Sequence, residues 1–439
     1  MINRLKIVLL ISFLAVFFNN QAQVGSPYSQ FGIGDNSFRG FEQSKAMGGI
    51  GIGIRSNDYL NNLNPASYSA FDSLSVIYAL GFNTGFNKIE SSIDNVMNTD
   101  TRFGYFALGF RASKFWASSF GLTPASRVDY TLKTVTNNDV NGNIDTYLHG
   151  SGGVNKVYWS NAFKINDNLS LGITASYLFG AINKVSTVIF ADSLTWAQYD
   201  NTKIDKQLNI NGLTFDFGIQ YKFDLKNSSK LILGAVYESK MSLNSKQSIL
   251  AGTVRNVFDP DASYYKGIYN DQHGSELITT AIDTQDIKGT ITLPHAFGFG
   301  FTYNMKEKLL IGADVYTQMW SKITNSIYDA SFNDLLTFRG GLEFTPDNNS
   351  INHYFKRVHY RFGGHYTQSH LEIKNTRIND YGLSFGIGLP LRNTKTSFNI
   401  SFELGQRGTT EQYLLRETYG MISLNISLSD IWFVKRKFK

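Results

Sequence analysis

The sequence predicts an all-β protein, a transmembrane antiparallel β-barrel of about 14 strands with an N-terminal hatch inside the lumen. Three observations lead to this fold class. Apolar and polar residues alternate with period two from near residue 73 almost to the end of the chain. The alternating segments run for roughly 9 to 11 residues, the length at which a tilted strand crosses a bilayer. Aromatic residues reach 14 % of the 439 residues, against only 7 prolines, so residues that favour strands dominate.

The stretch 212–224 shows the alternation most clearly. Its apolar face carries Leu213, Phe215, Phe217, Ile219, Tyr221 and Phe223, and its other face carries Thr214, Asp216, Gly218, Gln220 and Lys222. Segments 168–179, 397–405 and 418–428 repeat the pattern. A wide apolar face opposite small polar residues is what lipid outside and a polar lumen inside require.

The connections between the alternating segments give a second test. Short connections at 111–114, 165–168, 224–230 and 304–308 interleave with long ones at 84–100, 132–149, 189–205 and 248–285. Barrels of this kind alternate short periplasmic turns with longer outer loops, which puts both termini on the periplasmic side. The connection 348–357 breaks the rule, because it is long on the short side.

The sheet is expected to close because it lies in the lipid of a bilayer. An open edge would leave backbone groups unpaired in lipid, so only a closed sheet can span. No run of about 18 apolar residues follows the leader, which excludes helical spans. A soluble propeller or sandwich is the alternative, but the apolar faces are too wide and the turns too unequal for it.

The sequence divides into three predicted parts. Residues 1–22 read as a signal peptide, with Arg4 and Lys6 before an apolar run and Ala22 at its end. Residues 23–72 form the predicted hatch, and residues 73–439 the barrel, which places the protein in the cell outer membrane. The chain has no Cys, so neither a lipoprotein anchor nor a disulfide is expected. Its basic residues are scattered, so nucleic acid is not an expected partner.

The predicted hatch is rich in Gly, Asn and Ser and has no sustained period. Its glycines are Gly48, Gly49, Gly51 and Gly53. A phosphate-binding loop is the alternative for them, but it would need a strand before and a helix after. Conformational freedom in a tightly packed plug explains them better.

Two patterns resemble catalytic or metal sites. Residues 382–386 match G-x-S-x-G, but a nucleophile elbow needs a strand, a sharp turn and a helix, whereas Ser384 lies within an alternating segment. His359, His365 and His370 lie close in sequence but form no known ligand motif. We therefore expect no catalytic residue, metal or cofactor, and a protein that is not an enzyme.

Charged residues also occur at inward positions of the alternating segments. They are Asp216, Glu238, Asp314, Arg339, Glu343, Arg361 and Glu403. Their mixed signs predict a polar network that grips the hatch, since a charge facing lipid would cost roughly 2 to 4 kcal/mol near the midplane. A general acid and base pair stays open as the alternative.

Two prolines, Pro124 and Pro294, lie inside predicted strands. Because proline removes a ladder donor, each must mark a bulge, a kink or a strand end. Either each proline marks a strand boundary near a rim, or it marks a gap in the barrel wall.

Several of these residues resemble the FadL/TodX outer-membrane transporters, particularly their Bacteroidetes branch. The resemblance rests on AMGGIGIG and LNPASYSAFD in the hatch, then ITLPHAFGFGFTYN and LLIGADVYTQMWSKI. The matching positions are Asn64, Pro65, Ala66, Leu293, Pro294, Asp314, Val315, Tyr316, Trp320 and Ser321. The final residues depart from the pattern, because a basic tail follows the last strand where such barrels often end on an aromatic residue; Trp432 and Phe433 are the substitutes.

The resemblance implies a 14-stranded barrel that passes hydrophobic molecules sideways into the membrane. In that family a kink in the third strand meets the hatch near Asn-Pro-Ala, so the gate role falls here on Asn64, Pro65, Ala66, Gly121 and Pro124. The implied function is passive uptake of hydrophobic or amphipathic ligands, with outer-membrane lipid as the acceptor. The loop 248–285, with Tyr264, Tyr265 and Tyr269, would capture the ligand.

A second hypothesis comes from another class of protein. Barrels resembling PorV do not transport; they serve type IX secretion or surface assembly and bind protein partners at their extracellular loops. A large exposed loop and a sealed lumen would favour that role, and a continuous apolar tunnel would favour transport. An outer-membrane enzyme is the third and weakest hypothesis.

Overall fold

The computed structural model describes residues 25–36, 40–92, 94–138, 142–190, 200–254, 277–306, 308–323, 332–392 and 394–432. The predicted signal peptide and the tail from residue 433 lie outside them. The strands are β1 (Asp35–Asn36), β2 (Ser75–Glu90), β3 (Asn95–Arg111), β4 (Trp116–Asn138), β5 (Gly142–Lys164), β6 (Leu169–Phe190), β7 (Asn201–Asp224), β8 (Lys230–Glu238), β9 (Met241–Val254), β10 (Leu277–Leu293), β11 (Ala296–Met305), β12 (Leu309–Gln318), β13 (Leu335–Phe344), β14 (His359–Ile373), β15 (Thr376–Pro390), β16 (Ser397–Gly408) and β17 (Arg416–Ile431). The helical segments are Pro27–Gln30, Glu42–Lys45, Pro65–Ala70, Lys226–Ser228, Trp320–Lys322, Tyr354–Lys356 and Glu411–Tyr413.

The strands form one closed antiparallel barrel with 14 positions around its wall. Strand β7 pairs with β8 near the end of the strand and with β9 near its start, so β8 and β9 together form one wall strand. Likewise β11 pairs with β8 and β10 pairs with β9, which makes β10 and β11 the next wall strand. Strand β17 pairs with β2 and completes the ring. The predicted fold class and strand number are confirmed.

The outer connections differ from the prediction. Strand β2 runs to Glu90 and β3 begins at Asn95, while β4 runs to Asn138 and β5 begins at Gly142. The expected long loops at 84–100 and 132–149 are therefore wrong, because both stretches are strand. These parts of the strands were not recognised in the sequence because their residues are mainly polar. A strand outside the bilayer needs no apolar face. Parts of 189–205 and 248–285, with Tyr264, Tyr265 and Tyr269, lie outside the described residues.

Strand β7 shows where the bilayer ends. Its outward row is polar from Lys203 to Asn211 and becomes apolar from Leu213 to Phe223. Leu213, with 53 % of its surface exposed, begins the apolar stretch. Because the strand has 24 residues and roughly 9 to 11 suffice to cross, about half of it projects outside the membrane. Among the described residues, no helix has the length and apolar character needed for a membrane crossing.

Residues 40–72 pack inside the barrel. Phe41, Met47, Ile50, Ile54 and Leu60 are at most 2 % exposed. Phe41 stacks on the inward ring of Tyr105 of β3, with the ring centroids 3.9 Å apart. Apart from the helical segments Glu42–Lys45 and Pro65–Ala70, short turns make up this segment, because its glycines and asparagines favour them.

Candidate functional site

The glycine-rich loop of the N-terminal segment binds a carboxylate of the barrel wall. Asp314 of β12 points inward and is 2 % exposed. Its Oδ2 accepts hydrogen bonds from the backbone N–H of Gly51 at 2.6 Å and of Ile52 at 2.9 Å. Successive N–H groups form a concave anion site of this kind, so here the loop that resembles a phosphate cradle surrounds an aspartate of the same chain.

Three further wall side chains hydrogen-bond to the same loop. Ser384 Oγ accepts from Gly48 N at 2.7 Å, and Thr302 Oγ1 donates to Gly53 O at 2.8 Å. Gln220 Nε2 donates to the carbonyls of Ile52 and Ile54, both at 3.0 Å. Sequence analysis did not assign these contacts; the only signal was an inward polar residue among glycines. Ser384 lies in the middle of β15, so the G-x-S-x-G match is no nucleophile elbow.

Glycines of the wall let its backbone approach the backbone of the N-terminal segment. A Cβ on Gly341 would lie 2.2 Å from Met47 O, and one on Gly363 would lie 2.1 Å from Met47 C. A Cβ on Gly234 would lie 2.1 Å from Ile52 O. Since real Cβ atoms do not approach so closely, the wall can carry no side chain there. The part of the lumen that holds the N-terminal segment is therefore filled by direct packing of main chain on main chain.

The Asn-Pro-Ala turn lies against β6 and β7. Asn64 is fully buried and caps the turn Pro65–Ala70, accepting a hydrogen bond from Ala66 N. Its Nδ2 donates to Ile52 O at 2.9 Å and to Ile219 O of β7 at 3.2 Å. Pro65 and Ala66 occupy the space beside Gly172 of β6.

The other proposed gate residues lie on β4. The position of a Cβ on Gly121 is taken by the ring of Tyr158, and Pro124 lines a cavity above the N-terminal segment. Asn64, Pro65 and Ala66 thus belong to the N-terminal segment and lie against β6 and β7, whereas Gly121 and Pro124 belong to β4 of the wall.

The inward charged residues lie in separate parts of the lumen. Arg361 Nε lies 2.6 Å from Glu343 Oε2, and its Nη1 donates to Asn399 at 2.9 Å, near the end of the barrel where β13 finishes. Asp314 holds the glycine loop. Asp216, Arg339 and Glu403 instead line the cavity, and Arg339 Nη1 reaches Gly49 O at 3.5 Å.

That cavity has a volume of about 880 Å³, and its lining combines apolar surface with many ionisable side chains. Its ionisable residues are Asp35, Lys45, Asp100, Arg102, Tyr105, Arg127, Asp129, Lys156, Asp216, Glu238, Tyr316, Arg339, His365, Asp380, Glu403, Arg407, Glu417 and Tyr419. Many of them form direct contacts, such as Arg407 with Asp35 at 2.9 Å and Tyr419 with Asp380 at 2.9 Å. We call this cavity the chamber.

The barrel wall opens beside the chamber. Strands β3 and β4 pair only between residues 106–111 and 117–122. Beyond these residues, β4 has a bulge at Pro124 to Ser126. On β5, Gly152 and Gly153 have φ of +102° and +152°, conformations suited to glycine. The lining of the chamber includes Phe103 of β3 and Phe179 of β6, which belong to the outward rows of their strands. We call this opening the wall gap.

The start of the described chain covers the wall gap from inside. Strand β1 pairs with β4, Asp35 opposite Arg127, at a level where β3 does not. Arg127 Nη1 also lies 2.7 Å from Asp100 Oδ2 of β3, so an ion pair spans the gap. Ser29 Oγ donates to Asp129 O at 3.1 Å and Lys184 Nζ donates to Gln30 O at 2.7 Å.

Pro294 has a different setting from Pro124. It lies between β10 and β11, where Leu293 pairs with Met241 and Ala296 pairs with Glu238 in one continuous register. His295 Nδ1 contacts Tyr237 Oη at 2.9 Å and Lys240 N at 3.3 Å across this break. Pro294 thus sits at a strand boundary in an unbroken wall, whereas Pro124 borders the wall gap.

The three histidines lie apart along the barrel. His359 contacts Thr345 and Glu343, His365 faces Asp380 and Tyr419 in the chamber, and His370 stacks on Trp320. Within the described ranges, no three His, Cys, Asp or Glu side chains are arranged to hold a metal ion.

A closed 14-stranded barrel with an internal N-terminal segment, a chamber and a kinked wall strand defines a FadL-like outer-membrane β-barrel protein. The BamG family model matches residues 1–439, and the chain belongs to the BamG family. No curated protein matches the chain.

Several solved structures share the fold. The toluene transporter TodX of P. putida has a TM-score of 0.58 and 14 % identity, with 91 % of this chain and 100 % of that chain covered. The toluene transporter TbuX of Ralstonia pickettii has a TM-score of 0.56 and 14 % identity over 89 % and 99 %. The monoaromatic hydrocarbon channel CymD has a TM-score of 0.56 and 13 % identity over 90 % and 99 %. At such identities the likeness concerns the fold.

Proposed function

We propose that this barrel takes amphipathic small molecules into its chamber from the outer side and releases them sideways into the membrane through the wall gap. The observation that carries the proposal is the stretch beside the chamber where β3 and β4 do not pair, with Phe103 and Phe179 of the outward rows among the lining residues. In this proposal a ligand in the chamber passes Pro124 to the lipid face when β1 and the Arg127–Asp100 ion pair, which cover and span the wall gap, separate. The outward side chain of Phe103, 41 % exposed, offers that exit an apolar rim.

The lining of the chamber bears on the class of ligand. A pure hydrocarbon would displace water from charged groups without replacing its hydrogen bonds, which is costly. An amphipathic molecule can leave its polar head against side chains such as Arg339 and Glu403 while its apolar part reaches the gap. We therefore favour amphipathic ligands over the monoaromatic hydrocarbons named for the solved structures of the same fold.

The packing of the N-terminal segment favours a sideways exit. Met47 and Ile50 are fully buried below the chamber, and wall glycines contact the Met47 backbone directly. A passage straight through the barrel would require this packing to separate. In this proposal residues 40–72 act as a hatch that stays closed during transfer, with Asn64, Pro65 and Ala66 fixing its position.

The two prolines supply a matched test. We expect Pro124→Ala to lower uptake of a fluorescent fatty acid by whole cells, because alanine restores a backbone donor and allows β4 to straighten. Pro294→Ala should leave uptake unchanged, since the wall is continuous there. We expect lower uptake also for Asn64→Ala, which frees the Asn-Pro-Ala turn. Equal uptake by wild type and Pro124→Ala, with both barrels folded by heat-modifiable gel mobility, would overturn the proposal.

A second candidate is a non-transporting barrel that docks a protein partner at the cell surface. The observation in its favour is the sheet that projects outside the membrane, where β4 to β7 each have 22 to 24 residues. Such a surface exceeds what a pore needs. Under this candidate, Pro124→Ala leaves uptake unchanged, and a protein that co-purifies with wild type is lost when charged residues of the projecting sheet, such as Lys203 and Asp205, are exchanged.

A further inference from the structure

The connection between β13 and β14 exposes large apolar side chains. It covers residues 346–358 and contains the short helical turn Tyr354–Lys356. Ile351 is 81 % exposed and Phe355 is 76 % exposed. We call residues 346–358 the aromatic turn. It lies at the barrel end that also holds Ser75 and Ile431, which is the periplasmic end by the orientation of such barrels.

The aromatic turn folds toward the lipid side of the barrel. On β14, His359 points inward to Glu343, so its neighbour Tyr360 points outward. The Tyr360 hydroxyl donates to Phe355 O at 3.3 Å. Because an outward side chain holds the turn, Phe355 lies beside the lipid-facing surface rather than below the lumen.

Lipid-facing aromatic residues lie on both strands that the aromatic turn connects. Phe344 at the end of β13 is 44 % exposed, and Phe362 of β14 is 41 % exposed. Both belong to the outward rows of their strands. The exposed side chains of Phe355 and Ile351 therefore extend an apolar surface that the bilayer already covers.

The charged residues of the aromatic turn are two cations and one carboxylate. Lys356 and Arg357 follow Phe355, and Asp347 is the only carboxylate in 346–358. The Arg357 guanidinium lies 5.2 Å from the centre of the Tyr354 ring. Lys308 of the neighbouring turn is exposed, and its carbonyl accepts from Thr345 N at 2.8 Å. Apolar side chains bordered by cations suit the interface of a bilayer with anionic headgroups.

We propose that the aromatic turn inserts into the periplasmic leaflet, with Ile351 and Phe355 among the acyl chains near the headgroups and Lys356 and Lys308 beside lipid phosphates. The occupant is phospholipid with anionic headgroups. Continuity with the lipid-facing rows of β13 and β14 supports lipid over a protein partner. Amphipathic side chains of this kind place their apolar stems in the interface and their charges at its surface.

The absence of cysteine from the chain makes a clean test available. The full-length variants Ile351→Cys and Phe355→Cys carry a nitroxide in vesicles of phosphatidylethanolamine with phosphatidylglycerol. Power saturation then compares collisions with oxygen, which enters the bilayer, and with a water-soluble nickel chelate. Asn349→Cys, an exposed polar position in the same turn, is the matched control. Heat-modifiable gel mobility verifies that each barrel is folded.

We expect the labels at 351 and 355 to be shielded from nickel and open to oxygen, and the label at 349 to be open to nickel. Shielding should decrease when phosphatidylcholine replaces the anionic lipid, and in a Lys308→Gln, Lys356→Gln variant. Nickel access at 351 and 355 equal to that at 349 would overturn lipid insertion. Equal shielding in both lipid mixtures would overturn the role of anionic headgroups. Shielding seen only in native membrane fragments would assign the turn to a protein partner instead.

Discussion

Gly340 and Gly341 are neighbours on β13 with opposite surroundings. A Cβ on Gly341 would meet Met47 at 2.2 Å, whereas one on Gly340 would have nothing within 4 Å. We expect Gly341→Ala to destabilise the protein by about 1 to 3 kcal/mol, as overpacking does, and Gly340→Ala to have little effect. Thermal unfolding in detergent measures both. Equal melting temperatures for the two variants would contradict direct packing of the hatch on the wall.

Asp314 gives a second prediction at the residue scale. Asp314→Ala leaves the N–H groups of Gly51 and Ile52 without their acceptor, at a cost of roughly 1 to 3 kcal/mol per buried group. We expect faster hydrogen exchange at these two amides, with smaller changes for the isosteric Asp314→Asn. Exchange at Ile52 as slow in Asp314→Ala as in wild type would show that the carboxylate does not hold the loop.

Sequence patterns predicted which way these residues point but not what they touch. Period two placed Asp314 and Ser384 on the inward side, and the structure places them inside. Their contact with Gly51 or Gly48 depends on how an irregular segment folds within the lumen. That path follows from tertiary packing across more than 250 residues of separation, which no local pattern encodes.

At the scale of elements, the ion pair across the wall gap is the feature to test. Arg127→Met removes the contact with Asp100 at 2.7 Å and with Asp129 at 2.7 Å. We expect faster hydrogen exchange in residues 95–105 and 123–130. The melting temperature should change little, since partly exposed pairs contribute about 1 kcal/mol or less.

Lys133→Met is the matched control for the wall gap. Lys133 lies farther along β4 and pairs with Asp145 of β5. It should leave exchange at 95–105 unchanged. If both variants, or neither, accelerate exchange in that range, the Arg127 pair does not hold β3 to β4.

The connection from the hatch to β2 provides a pH-dependent prediction. Lys395 Nζ lies 2.6 Å from Asp72 Oδ2 and 2.8 Å from Asp58 Oδ1. Burial opposes ionisation of Asp72, but the hydrogen bonds from Lys395 and Asn57 outweigh it and hold the pKa of Asp72 below its usual value. A lowered carboxyl pKa stabilises the fold above the unfolded pKa, and that stabilisation is lost as pH falls through the folded value.

We therefore expect the difference in melting temperature between wild type and Lys395→Met to be small but positive at pH 7, to begin to fall near about pH 4, the ordinary carboxyl pKa, and to be lost as pH falls further through the lowered pKa of Asp72. Thermal scans from pH 7 to pH 3 measure it. A difference that grows toward acid would reverse the sign of the coupling and contradict the assignment.

The strands could be predicted from the sequence where they cross lipid. There the bilayer demands an apolar outward row and the lumen allows a small polar one, which produces a period-two pattern. Beyond the membrane both faces of β2 to β5 meet water or polar groups, so that pattern fades and strand was mistaken for loop. The missing donor of proline predicted a bulge, a kink or a strand end at both Pro124 and Pro294, but which of these each proline marks depends on pairing between distant strands.

At the scale of the whole molecule, the barrel combines a packed N-terminal segment, a chamber lined by apolar and ionisable side chains, and a gap in the wall. In the proposed function the hatch closes the part of the lumen below the chamber, and a chamber ligand leaves beside Pro124 toward lipid. The class of the ligand follows from charges contributed by many strands, which become neighbours only when the barrel closes. Sequence analysis expected hydrophobic or amphipathic ligands; the charged lining favours the amphipathic class.

The most direct test is native mass spectrometry of the protein extracted in its own lipids with a membrane-solubilising polymer. Ala125 lies in the β4 bulge and lines the chamber, so Ala125→Trp should block the site. Ala175 on the outward row of β6 allows Ala175→Trp as the control. We expect wild type and Ala175→Trp to retain an amphipathic small molecule that Ala125→Trp has lost. An empty chamber in wild type, or the same bound mass in all three proteins, would contradict a ligand site at the wall gap.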